Sequence, residues 1–132
     1  MNLRHVALVC SSLRNADLFF GDLLGLRREG PKELPAEIAE ALFGVSSPLS
    51  MVNYRNESAH FEVFIHGPAP RPPTAIEHAC LEVESLERFL AKCRALNVRI
   101  IQVPKGASLL TFVRDFDGNL FDMKEAPSGG AP

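Results

Sequence analysis

Two histidines and two carboxylates recur in matching local surroundings. His5 stands in Leu3-Arg4-His5-Val6-Ala7-Leu8 and His78 in Ile76-Glu77-His78-Ala79-Cys80-Leu81, while Glu62 stands in Phe61-Glu62-Val63-Phe64 and Asp122 in Phe121-Asp122-Met123-Lys124. Imidazole nitrogen and carboxylate oxygen together suit a divalent metal ion, and the repeated settings say that each half of the chain supplies one of each. Taken singly, a histidine in an apolar strand is more often structural, and a strand carboxylate often meets only solvent. Their recurrence at equivalent places makes the four a candidate site.

The elements that must position these residues follow from the hydrophobic pattern. Leu3 to Val9 alternates as a strand, with His5, Ala7 and Val9 on one face and Val6, Leu8 and Cys10 on the other. Ser12 is an N-cap for a helix whose apolar stripe is Leu13, Ala16, Phe19, Phe20, Leu23 and Leu24, and Gly25 ends it. The second half repeats this order: strand Ile76 to Val83, cap Ser85, stripe Leu86, Phe89, Leu90, Cys93 and Leu96, and Asn97 where Gly25 stood.

Extended segments follow each helix, at Leu26 to Glu29, Leu49 to Tyr54 and Ala59 to Ile65, and then at Val98 to Val103, Ser108 to Arg114 and Leu120 to Lys124. Each half therefore predicts β-α-β-β-β, which places the chain in the α+β class. Between the first two segments lies an insertion, Leu34 to Phe43, in which Pro35 suits a first helical turn and Gly44 a stop. It predicts a short extra helix over the sheet.

Alternation also gives the carboxylates a direction. In Ala59 to His66, the residues Phe61, Val63 and Ile65 form the face that meets a helix, and His60, Glu62, Phe64 and His66 point the other way. Likewise Phe121 and Met123 face the helices, and Asp122 lies opposite them. Of the neighbours, His60 is expected at the rim facing solvent, and Cys80 shares the face of His78. Arg55, Lys105 and Arg114 are expected as solvated charges, with anion contact as the alternative.

Composition narrows the function classes. With 132 residues, 46% of them hydrophobic, the chain can bury one core and is too short for two ordinary domains. It is expected to be one domain, 1–132, of two modules, about 1–66 and 76–125, with a proline-rich spacer at 67–75 and a tail at 126–132. The net charge of −2 comes from interspersed acids and bases without a basic block, which argues against nucleic acid. The first residues lack the stages of a signal peptide and no run is long enough to span a bilayer, so a cytoplasmic protein without a membrane partner is expected. The three cysteines, Cys10, Cys80 and Cys93, lack CxxC spacing and are expected as buried reduced thiols.

The chain resembles the vicinal-oxygen-chelate superfamily, which includes glyoxalase I, methylmalonyl-CoA epimerase, extradiol dioxygenases and bleomycin-resistance proteins. The resemblance covers nearly all of residues 2 to 125. It is carried by His5, the helix ending Phe19-Phe20-Gly21-Asp22-Leu23-Leu24-Gly25-Leu26, Glu62, His78, and the turn Asp115-Phe116-Asp117-Gly118-Asn119-Leu120-Phe121-Asp122. It implies two tandem β-α-β-β-β modules forming a curved mixed sheet around a cleft, with the helices on the convex face. It further implies that His5, Glu62, His78 and Asp122 ligate one divalent ion (Zn, Ni, Co, Mn or Fe), and a homodimer. Aspartate stands at 122 where glutamate is usual, and Phe116 where the turn usually has proline. No glutathione-binding set is evident.

The resemblance implies a lyase or isomerase of glyoxalase-I-like type, acting on a small oxygen-chelating substrate. There the cation stabilises negative charge on the substrate's paired oxygens, and Glu62 or Asp122 takes a proton from the adjacent carbon. Two rivals carry their own signatures. A non-haem Fe(II) dioxygenase would use His5, His78 and Asp122 as a facial set and leave Glu62 unbound. A metal-free, resistance-type binding module would have no need of matched histidine and carboxylate pairs.

Overall fold

The computed structural model of the chain describes residues 4–67 and 78–127. Two compact units, Met1–Arg71 and Pro72–Pro132, make up the chain, each with its own four-stranded mixed sheet. The expected spacer and tail lie outside the described residues apart from Gly67, Ala126 and Pro127.

The first unit runs β1 (Val6–Cys10), α1 (Leu13–Ala16), a π-helical stretch (Asp17–Leu23), β2 (Arg27–Leu34), α2 (Ala36–Phe43), β3 (Leu49–Arg55) and β4 (His60–Ile65). The second runs β5 (His78–Val83), α3 (Leu86–Ala95), β6 (Arg99–Lys105), β7 (Ser108–Arg114) and β8 (Leu120–Glu125). Their sheets have equivalent orders, β1-β4-β3-β2 and β5-β8-β7-β6. In each the first strand lies parallel to the last and the remaining pairs are antiparallel. A parallel neighbour needs a crossover, which the helix and the two intervening strands provide.

The caps form where the sequence placed them. Ser12 accepts a hydrogen bond from the Asn15 N–H at 3.1 Å, and Ser85 accepts one from the Arg88 N–H at 3.2 Å. Gly25 and Asn97 both adopt left-handed backbone, with φ of 72° and 59°, as helix C-caps require. Pro35 N-caps α2 and Gly44 ends it at φ 70°.

Three elements differ from expectation. The first helix does not keep α winding: from Asp17 it widens, and the Leu24 N–H reaches back to the Phe19 carbonyl at 3.0 Å, a five-residue step. An apolar stripe determines which side chains are buried, not which carbonyl each N–H selects. Strand β2 continues past Glu29 to Leu34 because a bulge between Glu29 and Lys32 absorbs Gly30 and Pro31. Gly30 has φ 97°, and a Cβ there would lie 3.4 Å from the Met51 carbonyl oxygen, so the bulge calls for glycine. Finally, β1 begins at Val6 rather than Leu3, which leaves His5 just ahead of the ladder.

The first helix and α3 each cover one face of their own sheet. In the first unit Ala16, Phe19, Phe20 and Leu23 are buried together with Val52, Tyr54, Phe61 and Val63. Phe20 packs on both Tyr54 and Phe61, with ring centroids 5.4 Å and 5.3 Å away. In the second unit Phe89 and Cys93 of α3 are buried, as are Val98, Val113, Phe121 and Met123. Truncating one such phenylalanine to alanine costs about 3–5 kcal/mol. The inserted α2 sends Phe43 to Phe64, 5.4 Å between centroids, and by alternation Phe64 shares the face of Glu62. Among the described residues no helix is long and apolar enough to cross a membrane.

Candidate metal-ligand pairs

In the first unit, sheet order brings the ends of the module together. Strand β4 lies beside β1, and Ala7 faces Glu62 in register. His5, two residues before Ala7, reaches that carboxylate: its Nε2 lies 3.5 Å from Glu62 Oε2. Two donors at this separation can bind one cation between them.

The second unit repeats the placement. Strands β5 and β8 are parallel neighbours, and Cys80 faces Asp122 in register, so His78 again stands two residues before the position opposite the carboxylate. The His78 ring packs edge-on to Phe112, 5.7 Å between centroids, and Phe112 is itself the antiparallel partner of Asp122. Asp122 Oδ1 is shut off from solvent and accepts no hydrogen bond from the described residues, although Lys124 Nζ lies 3.5 Å away. A buried carboxylate oxygen without a hydrogen bond is costly unless a cation or a proton satisfies it, and that fits a metal-ligating role.

Of the sequence-selected residues, His5 and Glu62 are in contact in the first unit, and His78 and Asp122 lie on neighbouring strands two register positions apart in the second. Among the described residues no group of three or more histidine, cysteine, aspartate or glutamate side chains is arranged to hold an ion. A donor set of imidazole and carboxylate fits the metals expected from the sequence.

Around the first pair, the structure adds residues that pattern reading passed over. His60 is half-buried, and it has partners that the pattern did not show: its Nε2–H donates to Asn53 Oδ1 at 2.7 Å, and its ring packs edge-on to His5. Burial, then the charge of Arg55, then His5, hold its pKa below the ordinary histidine value, against the opposing pull of Glu62. Asn53 faces Glu62 in register, and Arg55 faces His60. The Arg55 side chain remains partly exposed and is ion-paired, with Nε and one terminal nitrogen on Glu29 Oε1 at 2.8 Å and 2.6 Å. The Arg55 hydrogen bond is the main cause that lowers the Glu29 pKa. Alternation along β3 was the available signal, since it places Met51, Asn53 and Arg55 on one face.

Near the second pair, Cys10 and Cys93 are buried as expected but Cys80 is exposed, because its strand face carries no covering helix; partial desolvation, then the charge of Asp122, raise its thiol pKa. The turn before β8 is built on Asp115. Its Oδ1 accepts from the backbone N–H groups of Asp117 at 2.9 Å and Asn119 at 2.8 Å, and its Oδ2 from the Asn119 amide at 2.7 Å. Arg114 donates to the Gly118 carbonyl at 2.6 Å. This turn sets where β8, and with it Asp122, begins.

A doubled β-α-β-β-β chain with one histidine and one carboxylate at the same register of each sheet points to a single family. The model of the Glyoxalase/Bleomycin resistance protein/Dioxygenase superfamily matches residues 2–123, and the chain belongs to that superfamily. Its fold is similar to that of a glyoxalase family protein from Bacillus cereus, at 18% identity and a TM-score of 0.70, covering 95% of this chain and 93% of that one. It is also similar to the fosfomycin resistance protein FosX from Listeria monocytogenes, at 16% identity and a TM-score of 0.67, covering 93% and 89%. A mutant of that FosX, at 13% identity, a TM-score of 0.67 and coverage of 93% and 88%, was crystallised with Mn(II) and 1S,2S-dihydroxypropylphosphonic acid. No curated protein matches the chain.

Proposed function

We propose that this protein is a divalent-metal-dependent lyase or isomerase of glyoxalase-I-like type, which moves a proton next to a carbonyl on a small oxygen-chelating substrate. One observation carries this reading: in both units the histidine lies two residues before the strand position that faces the carboxylate, at Ala7–Glu62 and at Cys80–Asp122. Core packing alone does not require that repetition, because these residues lie on the face away from the helix. Mn(II) in the FosX crystal supports a metal in a protein of this fold.

His5, Glu62, His78 and Asp122 are the proposed ligands, and Glu62 and Asp122 the proposed catalytic residues. The metal, when bound, supplies Lewis-acid stabilisation of negative charge on the substrate. The chain's own part is proton transfer. Of the two carboxylates, the one less tied to neighbouring groups is free to accept the proton and return it to carbon. Glu62 is within reach of His5, and Asp122 has Lys124 beside it. A homodimer belongs to the same proposal, and sedimentation at micromolar protein tests it.

The experiment is solvent-deuterium exchange under strictly anaerobic conditions, with metal-loaded protein and a panel of α-hydroxycarbonyl and thioester compounds. Exchange at the acidic C–H is expected, and Glu62→Gln or Asp122→Asn is expected to slow it by roughly 10²-fold or more, the scale of a lost positioned base. Oxygen uptake coupled to substrate loss, without anaerobic exchange, would overturn the proposal in favour of an Fe(II) dioxygenase using His5, His78 and Asp122. Tight compound binding that needs no metal would instead identify a resistance-type binding module.

A further inference from the structure

His5 is poorly restrained by the backbone for a residue expected to act. It precedes the first ladder pair, Val6–Phe61, and its side chain retains 42% of its exposure. An imidazole in that position keeps rotamer freedom that must be given up when it takes a ligand or a proton. A neighbouring side chain must supply the restraint that the ladder does not.

We propose that His60 is a positioning residue for His5: anchored on Asn53, its ring holds the His5 imidazole at Glu62. Three contacts link the group. His5 reaches Glu62 at 3.5 Å, its ring meets the His60 ring edge-on at 5.4 Å and 61°, and His60 is tied to Asn53 at 2.7 Å. The fourth side is the cross-strand register pair Asn53–Glu62.

The anchor is rigid for chemical reasons. Asn53 is only 9% exposed and sits on a central strand of its sheet. Its amide oxygen can only accept, so His60 Nε2 must carry the proton, and this selects both the tautomer and the ring flip of His60. Edge-to-face packing then has one stable orientation for the His5 ring. Histidines that ligate metals are ordinarily oriented by outer partners, and loss of such a partner typically costs 10- to 100-fold in metal affinity.

This inference rests on His5 and Glu62 taking the metal, so the test reads the two claims separately. The probe is Co(II), titrated into the full-length chain against a competing chelator, with its visible absorption spectrum recorded alongside. His60→Ala is expected to weaken Co(II) binding by about 10-fold and alter the spectrum. His60→Gln keeps a donor toward Asn53 but lacks the ring, and is expected to behave as His60→Ala. His60→Phe keeps the ring edge, and is expected to recover part of the loss. Wild-type affinity and spectrum in both His60→Ala and His60→Gln would overturn the proposal.

The second readout is the metal-free protein. The His5 ring resonances, identified by their absence in His5→Ala, are expected to move when the His60 ring current is removed. Should His5→Ala bind Co(II) as wild type does, the ligand assignment fails and these resonances alone decide whether His60 holds His5. Unmoved resonances in His60→Ala would then overturn it too.

Discussion

Removing the Asp115 carboxylate should strip the turn that starts β8 of its organising acceptor. Asp115 is 5% exposed and Asn119 is 4% exposed, so water does not replace the lost bonds to Asn119. In Asp115→Ala the Asn119 backbone N–H and side-chain amide both lose their bond to Asp115. Each hydrogen bond to a charged group contributes about 1.5–3 kcal/mol, so losing the two together costs about 4 kcal/mol. The third donor, the Asp117 N–H, is less enclosed and adds little. In Asp115→Asn the side-chain oxygen still serves both backbone N–H groups and only the contact with the Asn119 amide is upset, at a cost of about 1 kcal/mol.

Urea unfolding followed by far-UV circular dichroism reads both variants. With a slope of about 2 kcal/mol/M, the alanine variant should unfold about 2 M earlier and the asparagine variant about 0.5 M earlier. Amide exchange should quicken along β8, the strand that carries Asp122. The pair also has a pH signature. Burial raises the Asp115 pKa above its ordinary value, against the lowering effect of its Asn119 and Asp117 hydrogen bonds. A carboxyl whose folded-state pKa is raised binds more protons folded than unfolded, so its contribution is complete below the unfolded pKa and is lost as pH rises through the folded one. The stability of wild type relative to Asp115→Asn should therefore fall as pH rises through the acid range. Equal midpoints for Asp115→Ala and wild type, or a difference that grows in the opposite direction with pH, would refute this account of the turn.

Other outcomes follow from single contacts. Tyr54 is fully buried and donates to Asp17 at 2.8 Å, a carboxylate that also takes Arg28 at 3.0 Å. Tyr54→Phe should cost about 1–2 kcal/mol, and an unchanged urea midpoint would show that this bond does not anchor the π-helical stretch. Asn97 holds a left-handed φ of 59° at the end of α3, so Asn97→Gly should be neutral or slightly stabilising and Asn97→Ala should cost about 1 kcal/mol in a thermal melt. Because ligands must be free of protons to bind, metal affinity should fall in acid. His5→Ala and His78→Ala should each lower the metal content in a metal-limited titration, and full retention in both would remove the ligand assignment.

Local sequence was sufficient for features that depend on a few neighbouring residues. The capping serines, the left-handed Gly25 and Asn97, the doubled β-α-β-β-β order and the facing of Phe61, Val63, Phe121 and Met123 follow from backbone sterics and from the two periods of helix and strand. The same periodicity set Glu62 and Asp122 apart from the helix faces, and the echo between halves singled out His5 and His78.

What local pattern did not contain was the partner of each group across the fold. The first helix widens at Asp17, whose carboxylate is held by Tyr54 and Arg28 from strands that come later in the chain. Strand β2 runs on because pairing with β3 resumes beyond a bulge, which no rule read along β2 alone anticipates. The partners of His60 came from elsewhere in the fold: β3 supplied Asn53, and the residues leading into β1 brought His5 to its side. Periodicity decides the face on which a side chain lies; only strand register and packing decide what it meets there.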